Sequence, residues 1–160
     1  MLWTSLIYLG VTYSIKVKKR VELLEKTLLM IEEMKILLRY LNTPLNEMFK
    51  NLDNKAHLKD LDFIGKCVST MENGSDFPIA WKNSVFSTSV LYKTQEKERL
   101  LQLGLNLGAG DTESQLKILN VYSVYFQGFL EKAKQECKKN SGTSAVLGFL
   151  SGFMIFILLI

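Results

Sequence analysis

The stretch VKKRVELLEKTLLMIEEMKILLRYLN, residues 17–42, sets the architecture that this sequence predicts. Apolar side chains recur every three or four residues along it, and charged side chains occupy most positions between them. This period is typical of an amphipathic helix that buries one face. The apolar stripe consists of Val21, Leu24, Leu28, Ile31, Met34, Leu37, Leu38 and Leu41. Such a helix needs other helices to cover its stripe, and the remainder of the chain must supply them.

Shorter segments with the helical period follow the first helix. Thr43 and Pro44 predict the break, with Thr43 as the N-cap and Pro44 as the first residue of the second helix. The predicted helices then cover residues 44–52, 57–72, 75 or 76 to 89, 94–107 and 112–140. No segment carries a strand pattern. The predicted fold class is therefore all-α, a helical bundle of about six helices between two terminal transmembrane helices.

Several single residues carry further expectations about the bundle. Trp81 and Phe86 are the predicted aromatic anchors of its core. Thr94 is the predicted cap of the fifth helix. Ser141 and Gly142 predict a looser chain after the sixth helix.

The two ends of the chain are apolar. Residues 143–160 contain no charged side chain, and as a helix they would measure about 27 Å, close to the ~30 Å hydrocarbon core of a bilayer. Residues 1–15 are also uncharged and lack both the basic start and the cleavage pattern of a signal peptide. We therefore expect an N-terminal transmembrane helix at 1–15, a bundle at 16–142 and a C-terminal transmembrane helix at 143–160.

Basic clusters flank the predicted bundle next to both apolar ends. They consist of Lys16, Lys18, Lys19 and Arg20 at the start and Lys132, Lys134, Lys138 and Lys139 at the end. The positive-inside rule then predicts a cytoplasmic bundle with both termini outside, and the clusters are expected to contact anionic lipid. They lack the interleaved aromatic residues of a nucleic-acid surface, so nucleic acid is not an expected partner.

Small residues recur at a spacing of four in the last apolar stretch, at Ser144, Gly148 and Gly152. In lipid, such a strip allows a second helix to approach closely, either within the chain or from another subunit. The alternative is that glycine is simply common in membrane helices.

The sequence contains no recognisable catalytic, cofactor or metal motif, so we expect no bound cofactor. A membrane-bound hydrolase with an unrecognised site is a weaker alternative, and the lack of a nucleophile–base pair argues against it. His57 is the only histidine, and Cys67 and Cys137 are distant from each other, which argues against a zinc site. The two cysteines predict free thiols in a reducing compartment, with a disulfide as the alternative for a bundle outside the cell. Glu96 and Glu98 are predicted to lie on a solvated helix face, and not to form an acid–base pair. Asp60 and Asp62 lack the further oxygen ligands that a hard cation needs.

The stretch LLQLGLNLGAGDTESQ, residues 100–115, is unusual for a helical protein. Gly104 lies inside a predicted helix, where glycine costs about 1 kcal/mol relative to alanine. Gly108 suits a sharp turn, Asp111 is placed to cap the last helix of the bundle, and Gln115 follows one turn later. Two interpretations stay open: a tight helix–turn–helix corner, and a docking surface for another subunit.

Four sequence patterns resemble the stage III sporulation protein AB family of endospore-forming bacteria. They are Leu103-Gly104-x-x-Leu107-Gly108-x-x-Asp111-x-x-x-Gln115, Thr43-Pro44-Leu45, Asn73-Gly74 followed by Trp81, and Leu147-Gly148-Phe149-Leu150-Ser151-Gly152. The resemblance covers nearly the whole chain. It is weaker over the first 40 residues, where Leu37 and Leu41 replace the acidic and small residues typical of the family.

The resemblance implies a non-enzymatic membrane component, on the mother-cell side in the outer forespore membrane, of the channel or secretion-like complex that links mother cell and forespore. It also implies a domain similar to the helical cytoplasmic domain of type II secretion and type IV pilus platform proteins. The implied partners are a cytosolic secretion-type ATPase of the same operon and other membrane subunits of the channel. The alternative is a two-span membrane sensor with an extracytoplasmic helical ligand-binding bundle.

Overall fold

The structure, a computed structural model, describes the backbone of residues 2–41, 43–108 and 110–159, and the side chains of residues 15–41, 43–108 and 110–139. In chain order its helices are α1 Leu2–Leu41, α2 Leu45–Asp53, a 3₁₀ turn Ala56–Leu58, α3 Asp62–Glu72, α4 Phe77–Phe86, α5 Thr94–Asn106 and α6 Thr112–Leu159. The described residues contain no strand, so the prediction of an all-α fold is confirmed.

The two longest helices, α1 and α6, pack side by side and antiparallel. Arg20 bonds to Glu136, Glu25 to Lys134, and Glu32 to Ser123, so residue numbers fall along α6 as they rise along α1. As a result, the start of α1 and the end of α6 leave the bundle at the same end.

The four shorter helices cover one side of this pair. Each packs against the next in sequence, from α2 to α3, α4 and α5, and α5 closes the bundle against α6. All six helices contribute to one core: Leu24, Met30, Ile31, Met34, Met48, Phe49, Leu52, Phe63, Ile64, Cys67, Ala80, Trp81, Val85, Leu100, Leu103, Leu119, Phe126 and Ala133. Burying a side chain of leucine size contributes roughly 1.5–3 kcal/mol, so this core is the main force that holds the helices together.

The apolar period of residues 17–42 identified the buried side of α1. Leu24, Ile31 and Met34 are fully buried, while Val21 and Leu28 are partly buried against the core. Leu41, the last residue of α1, departs from the expected stripe, with 67% of its surface exposed.

Two predictions at helix starts were wrong by one residue. Thr43 does not cap α2; its hydroxyl and its amide donate to the Leu37 carbonyl, so it terminates α1 instead. Pro44 precedes α2 rather than beginning it. Thr94 is the first residue of α5, and the Lys93 amide donates to the Glu96 carboxylate at 2.7 Å in place of the expected threonine cap.

The predicted helix over residues 57–72 is shorter than expected. A 3₁₀ turn, Ala56–Leu58, precedes it, and α3 begins only at Asp62. Turn hydrogen bonds from the Leu61 amide to Leu58 and from the Ile64 amide to Leu61 join the two pieces. Leu58 and Leu61 nevertheless enter the core as the apolar pattern predicted.

The fourth helix ends at Phe86, three residues before the predicted end. The following segment is rich in serine and β-branched residues, which favour extended backbone over helix. Trp81 is fully buried, as predicted, but Phe86 is 60% exposed, so its prediction as a core anchor was wrong.

The last helix does not loosen at Ser141 and Gly142. α6 is continuous from Thr112 to Leu159 and carries the chain out of the bundle without a break. α1 likewise begins at Leu2 and enters the bundle as one helix.

Candidate functional site

The corner between α5 and α6 brings the four singled-out residues Gly104, Gly108, Asp111 and Gln115 into one region. Gly104 lies in α5 against the indole of Trp81 from α4. A Cβ atom on Gly104 would lie 2.2 Å from Trp81 Cδ1 and Nε1, which is too close for any side chain. Gly104 therefore serves close helix contact, the structural one of the two interpretations.

The closeness of Gly104 allows Trp81 to bond directly to the backbone of α5. Trp81 Nε1 donates to the Leu100 carbonyl at 3.0 Å, which satisfies the only polar atom of a fully buried indole. Phe49, Phe63 and Phe77 surround the ring with centroid distances of 5.3, 5.5 and 5.9 Å. The corner is thus attached to the aromatic centre of the core.

Gly108 and Gly110 form the turn itself. Their φ angles are +85° and +92°, in the left-handed region that side chains other than glycine rarely adopt. A Cβ atom on Gly108 would also lie 2.6 Å from Leu45 Cδ1, so the turn rests on α2. The contacts of Gly104 with Trp81 and of Gly108 with Leu45 therefore fix the position of the corner relative to the core.

Asp111 caps α6, as its position predicted. Its Oδ1 accepts a hydrogen bond from the Ser114 amide at 3.2 Å. Hydrogen bonds from the hydroxyl and amide of Ser114 hold the pKa of Asp111 below its ordinary value. Asp111 is exposed, so its carboxylate faces solvent as well as the helix start.

Gln115 is half-buried beneath the turn. Its Nε2 donates to the Gly110 carbonyl at 3.4 Å, while its Oε1 is buried without a partner among the described residues. Of the four corner residues, Gly104 is buried, whereas Gly108, Asp111 and part of Gln115 are exposed enough to contact another protein. Whether they do so stays a prediction.

A groove of about 350 Å³ lies beside the corner, between α5 and α6. The Arg99 guanidinium stacks over the Tyr125 ring at 4.4 Å, and Asn106 Nδ2 donates to the Tyr122 hydroxyl at 2.9 Å. Lys117 and Val121 complete the lining together with Ile118. The groove is basic and aromatic, and the sequence patterns did not point to it.

A buried ion network at the opposite end of the bundle was also missed. Arg20 of α1 donates from its Nε and Nη2 atoms to the carboxylate of Glu96 in α5, and from Nη1 to Glu136 of α6 at 2.7 Å. Lys93 Nζ donates to the other Glu136 oxygen at 2.7 Å. The network joins three helices where α1 and α6 leave the bundle.

This network corrects two expectations. Glu96 is only 1% exposed, so its reading as part of a solvated face was wrong, whereas Glu98 is exposed as expected. Arg20 is 8% exposed and engaged inside the bundle, unlike its neighbours Lys18 and Lys19, so it is not available to lipid. Sequence spacing could not reveal the pair because Arg20 and Glu96 are far apart in the chain.

The charges of the network stabilise one another. Burial lowers the pKa of Arg20, but hydrogen bonds and charge attraction from Glu96 and Glu136 outweigh that effect and raise it. A hydrogen bond from Lys93, followed by the charge of Arg20, lowers the pKa of Glu136. Arg20 and Glu136 are therefore ionised at neutral pH.

Asp62 organises the segment between α4 and α5. It accepts hydrogen bonds from the Ser89 amide at 3.0 Å, from the Ser89 hydroxyl and Lys66 at 2.8 Å, and from the Thr88 hydroxyl. Burial raises the pKa of Asp62, but these hydrogen bonds outweigh that effect and hold the pKa well below its ordinary value. Both oxygens of the Asp62 carboxylate therefore accept hydrogen bonds from residues of the same chain.

The other candidates for chemistry have structural partners. Asp60 pairs with Lys26, which lowers the pKa of Asp60. His57 bonds to Glu33 at 2.7 Å on the surface. Cys67 and Cys137 are both free thiols. Among the side chains described, no group of three or more histidine, cysteine or acidic residues is placed to hold a metal ion.

The predicted membrane-spanning segments lie largely outside the residues whose side chains the structure describes. No helix in the described portion offers a stretch long and apolar enough to cross a bilayer. The predicted spans at 1–15 and 143–160, and the strip of Ser144, Gly148 and Gly152, lie almost wholly in segments whose side chains are not described. They stay predictions.

The comparison with known protein families identifies a family that covers the chain. The stage III sporulation protein AB family matches residues 1–160, which is the whole chain. No curated protein and no solved structure matches the chain.

Proposed function

Because the chain belongs to the stage III sporulation protein AB family, we propose that it is a non-enzymatic platform subunit of a secretion-like complex between mother cell and forespore. Family membership indicates a stage III sporulation protein, and the family is not a known enzyme family. In this proposal the bundle is held on the membrane by both chain ends, faces the mother-cell cytoplasm and docks a cytosolic ATPase, while the spans contact other channel subunits.

The observation that carries the proposal is the shared exit of the two long helices. α1 and α6 are antiparallel, and the pairing of Arg20 with Glu136 lies close to where both leave the bundle. Before Lys16 on α1 and after Lys139 on α6, each helix consists of a stretch without charged residues. A bundle attached by two helices at one end is suited to transmit force or movement between a soluble motor and membrane partners.

Lysine residues lie around the exit and support an orientation toward anionic lipid. Lys18 and Lys19 are exposed on α1, and Lys132 and Lys134 are exposed on α6. Lipid headgroups attract lysine side chains within about a Debye length of the surface. The opposite end of the bundle, which carries the α5–α6 corner, then points into the cytoplasm.

The orientation can be tested by labelling an introduced cysteine. Lys55 is exposed, so Lys55→Cys in a Cys137→Ser background gives one reactive thiol beside the buried Cys67. A membrane-impermeant maleimide should label this thiol only after the cells are permeabilised. Labelling in intact cells would overturn the proposed orientation and favour the sensor alternative with its extracytoplasmic bundle.

Docking of the ATPase is assigned to the exposed part of the corner, at Asp111 and Gln115. Gly104 and Gly108 fix the corner through Trp81 and Leu45, so their role is to shape the surface rather than to contact the partner. The carboxylate of Asp111 offers a charged contact beside the basic groove, and the half-buried Gln115 supports the turn below it through its bond to the Gly110 carbonyl.

Pull-down of the secretion-type ATPase by the full chain tests this assignment. Asp111→Ser keeps an N-cap oxygen and removes the charge, so stability should change little while binding falls. Combined with Gln115→Ala, the loss of binding should be larger. Glu98→Ser, an exposed acidic position on another face of α5, is the matched control. Unchanged binding by the double variant would contradict docking at the corner.

A further inference from the structure

A cavity of about 410 Å³ lies beside α1 at the end of the bundle where the two long helices leave it. One side of α1 forms most of its wall, and the turn before α3 closes it from across. The lining residues are Ile15, Lys18, Lys19, Glu22, Leu23 and Asp60. The cavity is thus built from two separate elements of the bundle and is more than a cluster of charges on one helix.

Three kinds of side chain follow one another along the α1 wall of the cavity. Ile15 is the last residue of the charge-free stretch, and it is 58% exposed. Lys18 and Lys19 lie about 4.5–6 Å further along the helix axis, and Glu22 follows after a similar distance. With increasing distance from the charge-free end, the wall is therefore first apolar, then basic, then acidic.

The basic and acidic residues of the cavity differ in their partners. Lys26 Nζ donates to the Glu22 carboxylate at 2.6 Å and also to the Asp60 carboxylate. Hydrogen bonding to Lys26 lowers the pKa of Asp60, and the charge of Lys19 adds to this effect. Lys18 and Lys19 are exposed, and neither forms an ion pair among the described residues. Three lysines thus face two carboxylates, and the excess positive charge lies at Lys18 and Lys19.

The height of these two lysines matches the headgroup layer of a membrane. That layer is about 5–8 Å thick on each side of the hydrocarbon core. In the proposed membrane anchoring, the hydrocarbon core ends with the charge-free stretch, at Ile15. Lys18 and Lys19 then lie at the height of the lipid phosphates, and the carboxylate end of the cavity lies just beyond them.

We propose that this cavity binds the headgroup of one anionic phospholipid, a partner that rests on the proposed membrane anchoring. The phosphate lies between Lys18 and Lys19 and accepts charge-assisted hydrogen bonds from both ammonium groups. The first methylene groups of the acyl chains contact Ile15.

The far wall of the cavity selects among anionic headgroups. Glu22 and Asp60 are hydrogen-bond acceptors, so they suit a headgroup that ends in hydroxyl groups and they disfavour a second negative charge. Because both carboxylates already share Lys26, they do not require the ammonium group of a zwitterionic lipid. Phosphatidylglycerol, with one phosphodiester charge and two hydroxyl groups, has the chemistry that fits.

Native mass spectrometry of the full chain in detergent micelles tests the proposal. The wild-type chain should retain one phosphatidylglycerol, at least about tenfold more tightly than phosphatidylethanolamine with the same acyl chains. Lys18→Gln combined with Lys19→Gln should weaken phosphatidylglycerol binding at least about tenfold, because each lysine near a lipid phosphate contributes to the attraction. Lys18→Arg combined with Lys19→Arg keeps both charges and should retain binding. Both positions are exposed, so circular dichroism should not change.

The matched control removes two charges at a similar height on the other long helix. Lys138 and Lys139 are exposed on α6 and do not line the cavity, and the pairing of Arg20 with Glu136 places them near the height of Lys18. Lys138→Gln combined with Lys139→Gln should change the dissociation constant less than about threefold. Equal losses in the two double variants would show a diffuse basic surface and would overturn the proposal.

Three further outcomes would also contradict the lipid site. Absence of bound phosphatidylglycerol on the wild-type chain would exclude it. Equal or tighter binding of phosphatidylethanolamine would mean that the carboxylates and not the lysines select the headgroup. Displacement of the lipid by glycerol 3-phosphate at a comparable concentration would identify a free phosphate ester as the ligand.

The lipid site and the proposed orientation fail in different experiments. Micelles have no inner or outer leaflet and contain no ATPase, so lipid binding does not depend on which side the bundle faces. Labelling of Lys55→Cys in intact cells would overturn the cytoplasmic orientation and leave the lipid measurement unchanged. Conversely, a chain without the lipid site would still show the labelling pattern that its orientation dictates.

Discussion

The guanidinium of Arg20 donates hydrogen bonds to the carboxylate of Glu96 inside the bundle, although the two residues are 76 positions apart in the chain. The same guanidinium reaches Glu136 through its remaining nitrogen. Three helices that the sequence presents as separate amphipathic segments are thereby held in one register. The pair lies next to the point where α1 and α6 leave the bundle, so any movement of α5 is coupled to the two helices that continue beyond it.

Removing the carboxylate of Glu96 should destabilise the bundle strongly. Glu96→Ala leaves the buried charge of Arg20 without its main partner, a change that costs about 3–5 kcal/mol. Glu98→Ala, on the exposed side of the same helix, should change stability by no more than about 0.5 kcal/mol. Urea unfolding of the two full-length variants, followed by circular dichroism, measures the difference. Equal stabilities would mean that the network contributes little.

Two helix glycines should respond in opposite ways to the same substitution. Gly104→Ala places a methyl group against the indole of Trp81 and should cost about 1–3 kcal/mol, despite the gain in helix propensity. Gly128→Ala enters open space and should leave the bundle unchanged or up to about 1 kcal/mol more stable. Thermal melting of both variants checks this. If Gly104→Ala were as stable as the wild type, the close contact with Trp81 would be wrong.

The low pKa of Asp62 predicts how stability depends on acid. A carboxylate whose pKa is lower in the folded than in the unfolded chain stabilises the fold above its unfolded pKa of about 4. That contribution is lost as the pH falls below this value toward the folded pKa. Asp62→Asn should cost about 2 kcal/mol at pH 7 and less in acid, because it leaves Ser89 and Lys66 without the charged acceptor.

Denaturant titrations of the wild type and of Asp62→Asn between pH 7 and pH 3 measure this dependence. The two unfolding free energies should converge as the pH falls. Asp60→Asn is the control, because Asp60 is exposed and its loss should have a much smaller effect. A constant gap between wild type and Asp62→Asn at every pH would contradict the prediction.

The two thiols should differ widely in reactivity. Burial raises the pKa of Cys67 to about 12, and the side chain is fully enclosed, so almost no accessible thiolate forms at neutral pH. Cys137 is only half-buried on α6. A maleimide should therefore label Cys137 of the native full chain at least about 100-fold faster than Cys67. Mass spectrometry of the labelled peptides distinguishes the two, and comparable rates would show that the core opens readily near α3.

Most of the fold followed from local patterns. The apolar periods placed all six helices, and the left-handed turn after Gly104 was marked by glycines at 108 and 110. Errors occurred at helix boundaries: Thr43 bonds back to Leu37 and ends α1 instead of capping α2, and Asp62 accepts hydrogen bonds from the segment at Ser89. Helix propensity depends only on neighbours in sequence, so it cannot predict that the carboxylate of Asp62 accepts hydrogen bonds from Ser89, more than twenty residues away.

Some features of the candidate site also followed from the sequence, and others required the tertiary structure. The sequence by itself determined the helical class, the charge-free ends and the corner with its glycines and capping aspartate, because these depend on spacing and on backbone conformation along the chain. Only the tertiary structure decided that Gly104 makes room for Trp81, that Glu96 is buried beside Arg20, and that Gly128 faces outward with no described atom within 4 Å of its Cβ position. Each of these depends on which helix faces come together, and that choice is made by the packing of the whole core.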